Sequence, residues 1–175
     1  MTSAPIVLPT ALPPAPPPTL GSISNSELAA KFPTQVDGNP VPAPTVVRFI
    51  DFARAMGQSP DEVEAIRAAF AAVSVNLENI VFANATATVD DSSVGLIALQ
   101  IPGQDASVLI PILSQLGAVN EGDTLSTETI GGKTVTVERS EGGYASDWYY
   151  VNGDIVWNVN TSDEDEAAAV FSALP

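Results

Sequence analysis

The sequence predicts an α+β fold with a single antiparallel sheet of about six strands, built from hairpins, and with helices packed on one face. Three observations predict this class. Apolar residues recur at helical spacing in the first third of the chain and again at its end. Between these regions, segments with period-two patterns are joined by short turns, which favours hairpins over crossover connections. An apolar content of 45% is ordinary for a chain that folds around a core.

Two helices are predicted before residue 57. A short one covers Leu28 to Phe32 and ends at Pro33, since proline is unfavourable inside a helix. A longer one covers Thr45 to Met56, because apolar side chains recur there at i, i+3, i+4 and i+7 and Gly57 follows as a typical residue beyond a helix end. Those apolar residues are Val46, Phe49, Ile50 and Ala53.

Capping signals predict the remaining helices. The segment Ser59-Pro60-Asp61-Glu62 combines an N-cap, a proline at the first helical position and a capping-box glutamate. Ser162, followed by the acidic run Asp163 to Glu166, predicts the start of a C-terminal helix. The segment Val108 to Leu116 also has helical spacing, and Pro111 within it must either begin the regular helix or kink it. The apolar stripe of the C-terminal helix is Ala167, Val170, Phe171 and Leu174.

Period-two patterns predict three hairpins. The first hairpin has strands at 81–89 and 94–101 around a turn at 90–93. The second has strands at 124–130 and 133–139 around a turn at 131–132. The third has strands at 148–151 and 154–157 around a turn at 152–153. In the last hairpin the Asn152-Gly153 turn predicts a register in which Trp148 faces Trp157. The same alternation places both indoles on one face with Tyr150.

Composition excludes several function classes. With 21 acidic and 6 basic residues the formal net charge is −15, so neither nucleic acid nor an anionic membrane surface is a predicted partner. The chain has no histidine and no cysteine. It therefore cannot form Ser-His-Asp or Cys-His triads, disulfides, or imidazole or thiolate metal sites. No catalytic residue, no cofactor and no transmembrane segment are predicted.

Seven of the 15 prolines lie in the first 18 residues. We expect residues 1–20 to form a Pro-rich tether or docking arm in the polyproline II conformation, and residues 21–175 to form one α+β domain. The arm would allow homo-oligomers through residues 1–20, because extended backbone can add to a sheet edge. Residues 1–11 lack both the basic and the continuous apolar regions of a signal peptide, so no intact signal is predicted in this chain.

Four segments carry a resemblance to known domains. They are Leu28 to Pro40, with its helix, proline and short acidic loop; Ile130-Gly131-Gly132-Lys133-Thr134-Val135; Tyr149 to Val156; and Asp165 to Pro175. In this order they resemble uncharacterised bacterial extracytoplasmic domains of unknown function, which occur as lipoproteins or as ectodomains behind Pro-rich tethers. The resemblance implies a secreted or cell-surface location, and it provides no catalytic residues. The chain departs from the lipoprotein pattern because it has no cysteine to carry a lipid.

Trp148, Tyr150 and Trp157 are the candidate binding residues. Exposed together, these rings would form a platform for a sugar ring or a proline-rich peptide. The alternative is that this face is the core side of the sheet, covered by the C-terminal helix, because the two tryptophans of a small domain usually anchor packing.

Asp90, Asp91, Glu121 and Asp123 are the candidate metal ligands, since carboxylates in flexible turns suit calcium. They lack the spacing of an EF-hand loop, so solvated turns are the alternative. Two further acidic arrangements are considered for acid–base chemistry of the kind that glycosidases use, namely Glu138 with Asp147, and Asp154 beside Tyr149. Such pairs also arise by chance in an acidic protein.

The leading functional hypothesis is a non-enzymatic extracytoplasmic module that binds a protein or a cell-surface polymer. It predicts a surface without a deep polar cleft, and a pocket that encloses two carboxylates with shifted pKa values would count against it. The alternatives are a self-assembling cell-surface subunit that uses its N-terminal arm, and a carboxylate-dependent hydrolase of cell-wall or polysaccharide material that uses Asp147 and Asp154.

Overall fold

The structure, a computed structural model, describes residues 26–116 and 123–175. The predicted tether, residues 1–20, lies outside this part of the chain. The helices are α1 (Ser26–Ala29), α2 (Phe49–Ala55), α3 (Pro60–Ala72), α4 (Ile110–Leu116) and α5 (Glu164–Ala173). The strands are β1 (Gln35–Val36), β2 (Asn39–Pro40), β3 (Thr45–Arg48), β4 (Val81–Val89), β5 (Ser92–Gln100), β6 (Thr124–Ile130), β7 (Lys133–Arg139), β8 (Ala145–Asn152) and β9 (Ile155–Asn160). None of the helices described is long and apolar enough to cross a membrane.

The main sheet is antiparallel and has seven strands in the order β3-β4-β5-β9-β8-β7-β6. The prediction of an α+β fold with an antiparallel sheet of hairpins is confirmed. The expected single sheet of about six strands is not, because β1 and β2 form a separate two-stranded sheet. The β4–β5 hairpin and the β6–β9 meander meet where β5 pairs with β9, for example at Leu99 and Val156.

Helices cover both faces of the sheet, so the prediction of helices on one face is wrong. Alternation along β4 shows the two faces, because Phe82 and Ala83 belong to different apolar cores. The first core contains Ala83 and Phe171 of α5, whereas the second contains Phe82 and Phe49 of α2 together with the 3₁₀ turn Ala106–Leu109. The central strands β5 and β9 bury apolar side chains on both faces, and each face therefore needs a cover.

The helix predicted over Thr45 to Met56 is only half correct. The segment Thr45–Arg48 is strand β3, which pairs with β4, and α2 begins at Phe49. Val46 packs in the first core and Val47 in the second, which is the period of a strand. The β-branched side chains of this segment favour a strand. Its pairing partner is the edge of β4, which the apolar spacing of the segment itself does not indicate.

Capping and turn chemistry agree more closely with the sequence. The capping box of α3 is present, with Glu62 Oε2 2.6 Å from the backbone nitrogen of Ser59, and Pro111 lies at the start of α4 rather than at a kink. Helix α5 begins one residue later than predicted, since the carboxylate of Asp163 accepts the capping hydrogen bonds.

The tight turn of the β8–β9 hairpin also lies one residue later than predicted. It consists of residues 153–154, so Trp148 lies opposite Val159, and Trp157 lies opposite Tyr150. Moving a two-residue turn by one position shifts the pairing by two residues. Each side chain therefore keeps its predicted face, because only an odd shift reverses the faces.

The turn between β6 and β7 packs against α5, and this contact gives a test of the fold. Gly131 has a φ of +57°, and an added Cβ would meet the carbonyl oxygen of Ala168 and lie 2.9 Å from the backbone nitrogen of Ser172. Gly132 has a φ of +77° but open space around it. We expect Gly131→Ala to lower the free energy of unfolding by about 3 kcal/mol, and Gly132→Ala by about 1–2 kcal/mol from backbone strain alone.

Urea unfolding monitored by tryptophan fluorescence measures both values. Equal losses for the two variants would contradict the packing of α5 on this turn.

Candidate functional site

A cleft opens on the α2 face of the main sheet, where the helical cover of the strands ends. Along β4 the side chains on this face change from buried Phe82 to exposed Asn84 and Thr86. The cleft at this boundary has a volume of about 220 Å³. Most of its lining is apolar and comes from Phe49, Phe52, Phe82, Ile97, Leu99 and Leu113.

Stacked phenylalanines form one wall of the cleft. The rings of Phe52 and Phe82 are 4.0 Å apart between centroids and only 14° from parallel. Phe49 lies 6.4 Å from each of them and 5.6 Å from Phe70 of α3. Helix α2 and strand β4 thus hold these rings against one another.

The floor of the cleft is polar at one place, where Asp147, Tyr149 and Asn158 line it. The side-chain nitrogen of Asn158 donates a hydrogen bond of 2.8 Å to Asp147 Oδ1 across the β8–β9 pair. Burial raises the pKa of the Asp147 carboxyl, and the hydrogen bonds from Asn158 and Asn160 act in the opposite direction.

A second carboxyl lies directly beside the first. Glu138 of β7 is the cross-strand partner of Asp147 and is only 4% exposed. Its Oε2 is 3.4 Å from the hydroxyl of Tyr149, which donates to it. Burial raises the pKa of Glu138, whereas a hydrogen bond with Ser114 lowers it. The negative charges of Asp147 and Asp123 raise it further. Burial and the same two strand carboxylates also raise the pKa of the Tyr149 hydroxyl.

The structure thus brings together one of the acidic pairs considered from sequence. Glu138 and Asp147 are cross-strand neighbours in the β7–β8 pair, and the pKa of each is raised. Asp154 is not part of this group, since it lies in the β8–β9 turn and accepts a 2.9 Å hydrogen bond from Gln100. Asp154 follows the C-terminal end of β8, and that end lies roughly 17 Å along the strand from Asp147.

The predicted aromatic platform is instead part of the first core. Trp148 and Trp157 are 1% and 0% exposed beneath α5, and the ring of Phe32 packs edge-on to Trp157 at 4.9 Å. The indole nitrogen of Trp148 donates to the carbonyl oxygen of Thr161. Tyr150 is half-buried, and its hydroxyl donates to the carbonyl oxygen of the C-terminal residue. The surface-platform interpretation is therefore wrong, and the alternative of a core face under the C-terminal helix is confirmed.

The four candidate calcium ligands do not meet in the described part of the chain. Asp90 and Asp91 form the exposed β4–β5 turn with φ values of 46° and 66°. Asp123 is half-buried near Glu138, and Glu121 lies outside the described residues. Among residues 26–116 and 123–175, no group of three or more acidic side chains is arranged to hold a metal ion.

Neither the phenylalanine wall nor Asn158 was predicted from the sequence. The rings of Phe49 and Phe82 come from different elements, and nothing in their spacing indicates that they meet. Asn158 did give a signal, because it is a single amide within the otherwise apolar run Ile155–Val159 in a strand that the structure buries on both faces. A polar residue at such a position usually has a specific partner.

Comparisons of this chain with protein-family profiles, with curated proteins and with solved structures gave no match. The cleft is therefore interpreted from its own residues.

The raised pKa of Asp147 makes a prediction about stability. In the folded state this carboxyl binds its proton more tightly than in the unfolded chain, so its ionisation opposes folding. The penalty is absent below about pH 4 and grows as the pH rises through the folded pKa. We expect Asp147→Asn to be more stable than the unchanged protein at pH 7, with the difference disappearing toward pH 4.

Urea unfolding at several pH values measures this difference. Asp91→Asn, at an exposed turn position, controls for the removal of one charge from an acidic protein. If both variants showed the same pH dependence, the penalty would not come from burial of Asp147.

Proposed function

We propose that this chain is a non-enzymatic binding module that holds an apolar ligand in the cleft between α2 and α4. The observation that carries this proposal is the cleft of about 220 Å³, with six apolar side chains in its lining and a wall of packed phenylalanines. An apolar protein cavity of about 150 Å³ is large enough for a benzene molecule. The cleft therefore suits a small aromatic or aliphatic ligand, or one apolar side chain of a partner.

The lining favours binding over sugar hydrolysis. A glycosidase places two carboxyl groups on either side of the bond that it cleaves. Here only Asp147 of the two lines the cleft, whereas Glu138 is buried beside it on β7 and accepts a hydrogen bond from Tyr149. The apolar walls offer few partners for sugar hydroxyl groups.

The setting of the module is also part of the proposal. The Pro-rich residues 1–20 and the resemblance to extracytoplasmic domains support a domain displayed outside the cytoplasmic membrane, with a protein or a cell-surface polymer as the source of the ligand. The net charge of −15 favours a neutral or cationic ligand over an anionic one.

Binding is testable with the neutral fluorescent probe N-phenyl-1-naphthylamine, whose emission rises in apolar surroundings. We expect saturable binding to the full chain. Ile97→Phe, which fills the cleft, is expected to weaken the affinity by about tenfold or more. Thr127→Phe adds the same ring at an exposed position of β6 and is expected to leave the affinity unchanged. Absence of saturable binding by the unchanged protein would contradict the proposal, provided that near-UV circular dichroism shows it to be folded.

A second candidate function is a carboxylate-dependent hydrolase. It is favoured by the adjacency of Asp147 and Glu138 and by the raised pKa of each, since a raised pKa is typical of a carboxyl group that donates a proton. This pair replaces the pair of Asp147 and Asp154 as the acid–base group.

A panel of cell-wall and polysaccharide substrates tests the second candidate. If the protein is a hydrolase, Asp147→Asn should lower kcat by a factor of about 10² to 10⁴, because one acid–base group is lost. Asp154→Asn should leave kcat unchanged. An unchanged protein that is inert on the whole panel removes this candidate.

A further inference from the structure

A larger groove adjoins the cleft. It lies between α2 and α3, has a volume of about 530 Å³, and carries Gln58 and Glu62 at its polar margin. Phe49 and Phe52 line both cavities, so these rings form a wall that the two cavities share. The rest of the groove is apolar, from Ala53, Met56, Ala65 and Ile66, and the side chain of Met56 is 67% exposed.

The cleft and the groove differ in the placement of their carboxyl groups. Asp147 is half-buried in the lining of the cleft, whereas Glu62 is exposed at the margin of the groove, where its side chain caps α3. Within the described residues the arginine ion pairs go to Asp51, Glu64, Glu78 and Glu128, and none goes to Asp147. A carboxylate that a ligand removes from water either takes up a proton or pairs with a positive charge, because hydrogen bonds from amides compensate only part of the lost solvation.

The rings around this carboxyl add to the preference for a cation. Phe49, Phe52, Phe82 and Tyr149 all line the cleft with Asp147. The faces of aromatic rings attract a positive charge, and alkylammonium groups bind well among several such rings. An anionic head would be repelled by Asp147 and by its neighbour Glu138, and a neutral head would leave the carboxylate without a counter-charge.

From these observations we propose that the ligand is a single-chain alkylamine. Its ammonium group pairs with Asp147 in the cleft, and its chain runs along Phe49 and Phe52 into the groove between α2 and α3. This proposal rests on the proposed binding function and names its ligand class. It accounts for a carboxylate in a mostly apolar cleft and for a second, mostly apolar groove that shares Phe49 and Phe52 with it.

Isothermal titration calorimetry on the full chain at pH 7 tests the head group. The probes are n-octylammonium, 1-octanol and octanoate, which share one chain length and differ in charge. We expect n-octylammonium to bind roughly tenfold more tightly than 1-octanol, and octanoate not to bind. Asp147→Asn should remove the advantage of the ammonium over the alcohol, whereas the exposed-turn variant Asp91→Asn should keep it.

The path of the chain is tested with n-butylammonium as a short probe. In the unchanged protein the octyl compound should bind roughly a hundredfold more tightly than the butyl compound, because four more methylene groups are buried. Ala65→Trp fills the groove and should reduce this ratio toward one, with little effect on n-butylammonium. Ala68→Trp is the matched control, since Ala68 is exposed on the same helix and lines neither cavity.

Each outcome has one interpretation. Equal affinities for the ammonium and the alcohol would overturn the proposed ligand class and leave apolar binding intact. Equal effects of the two tryptophan variants would overturn the path through the groove. If the fluorescent probe and all three octyl compounds fail to bind a folded protein, the proposed function itself is wrong.

Discussion

The pairing of β5 with β9 is the constraint on which the rest of the structure depends. These strands join the β4–β5 hairpin to the β6–β9 meander, and both of them bury side chains on the two faces of the sheet. Burial on both faces requires two separate covers, α5 on one side and α2 with α3 on the other. The same pairing places Ile97 and Leu99 of β5 beside Asn158 of β9, so it also builds the floor of the cleft.

The two covers differ in extent. The first core contains both tryptophans and packs beneath the capped helix α5. Among the described residues, the second core ends part of the way along the strands, and Phe52 and Leu113 line the cleft at that edge. At this edge the protein keeps Asp147 and Glu138 in surroundings that raise the pKa of each carboxyl. Carboxyl groups with raised pKa values are common at functional sites, and here Asp147 lines a mostly apolar cleft.

Local chemistry explains which elements were predicted well. The β6–β7 hairpin has its predicted bounds because Gly131 and Gly132 are both in the left-handed region that its turn requires. The capping box at Ser59 sets the start of α3 for a similarly local reason. Strand β3 was predicted as helix because Val46 fits a helical pattern as well as a strand pattern. Pairing with the edge of β4 makes the segment a strand. The tryptophan face was located correctly from alternation, but only the packing of α5 shows that it is core.

The sequence by itself determined the fold class, most of the hairpins, the capped helix starts, and the absence of imidazole and thiol chemistry. It named Glu138 with Asp147 as one possible acidic pair, but the pairing of β7 with β8 that makes them neighbours comes from the structure. Only the tertiary structure decided that helices cover both faces, that Phe52 stacks on Phe82, and that Asp147 lines a cleft with these rings. The physical reason is that these features depend on contacts between elements distant in the chain, whereas caps and turns depend on neighbouring residues alone.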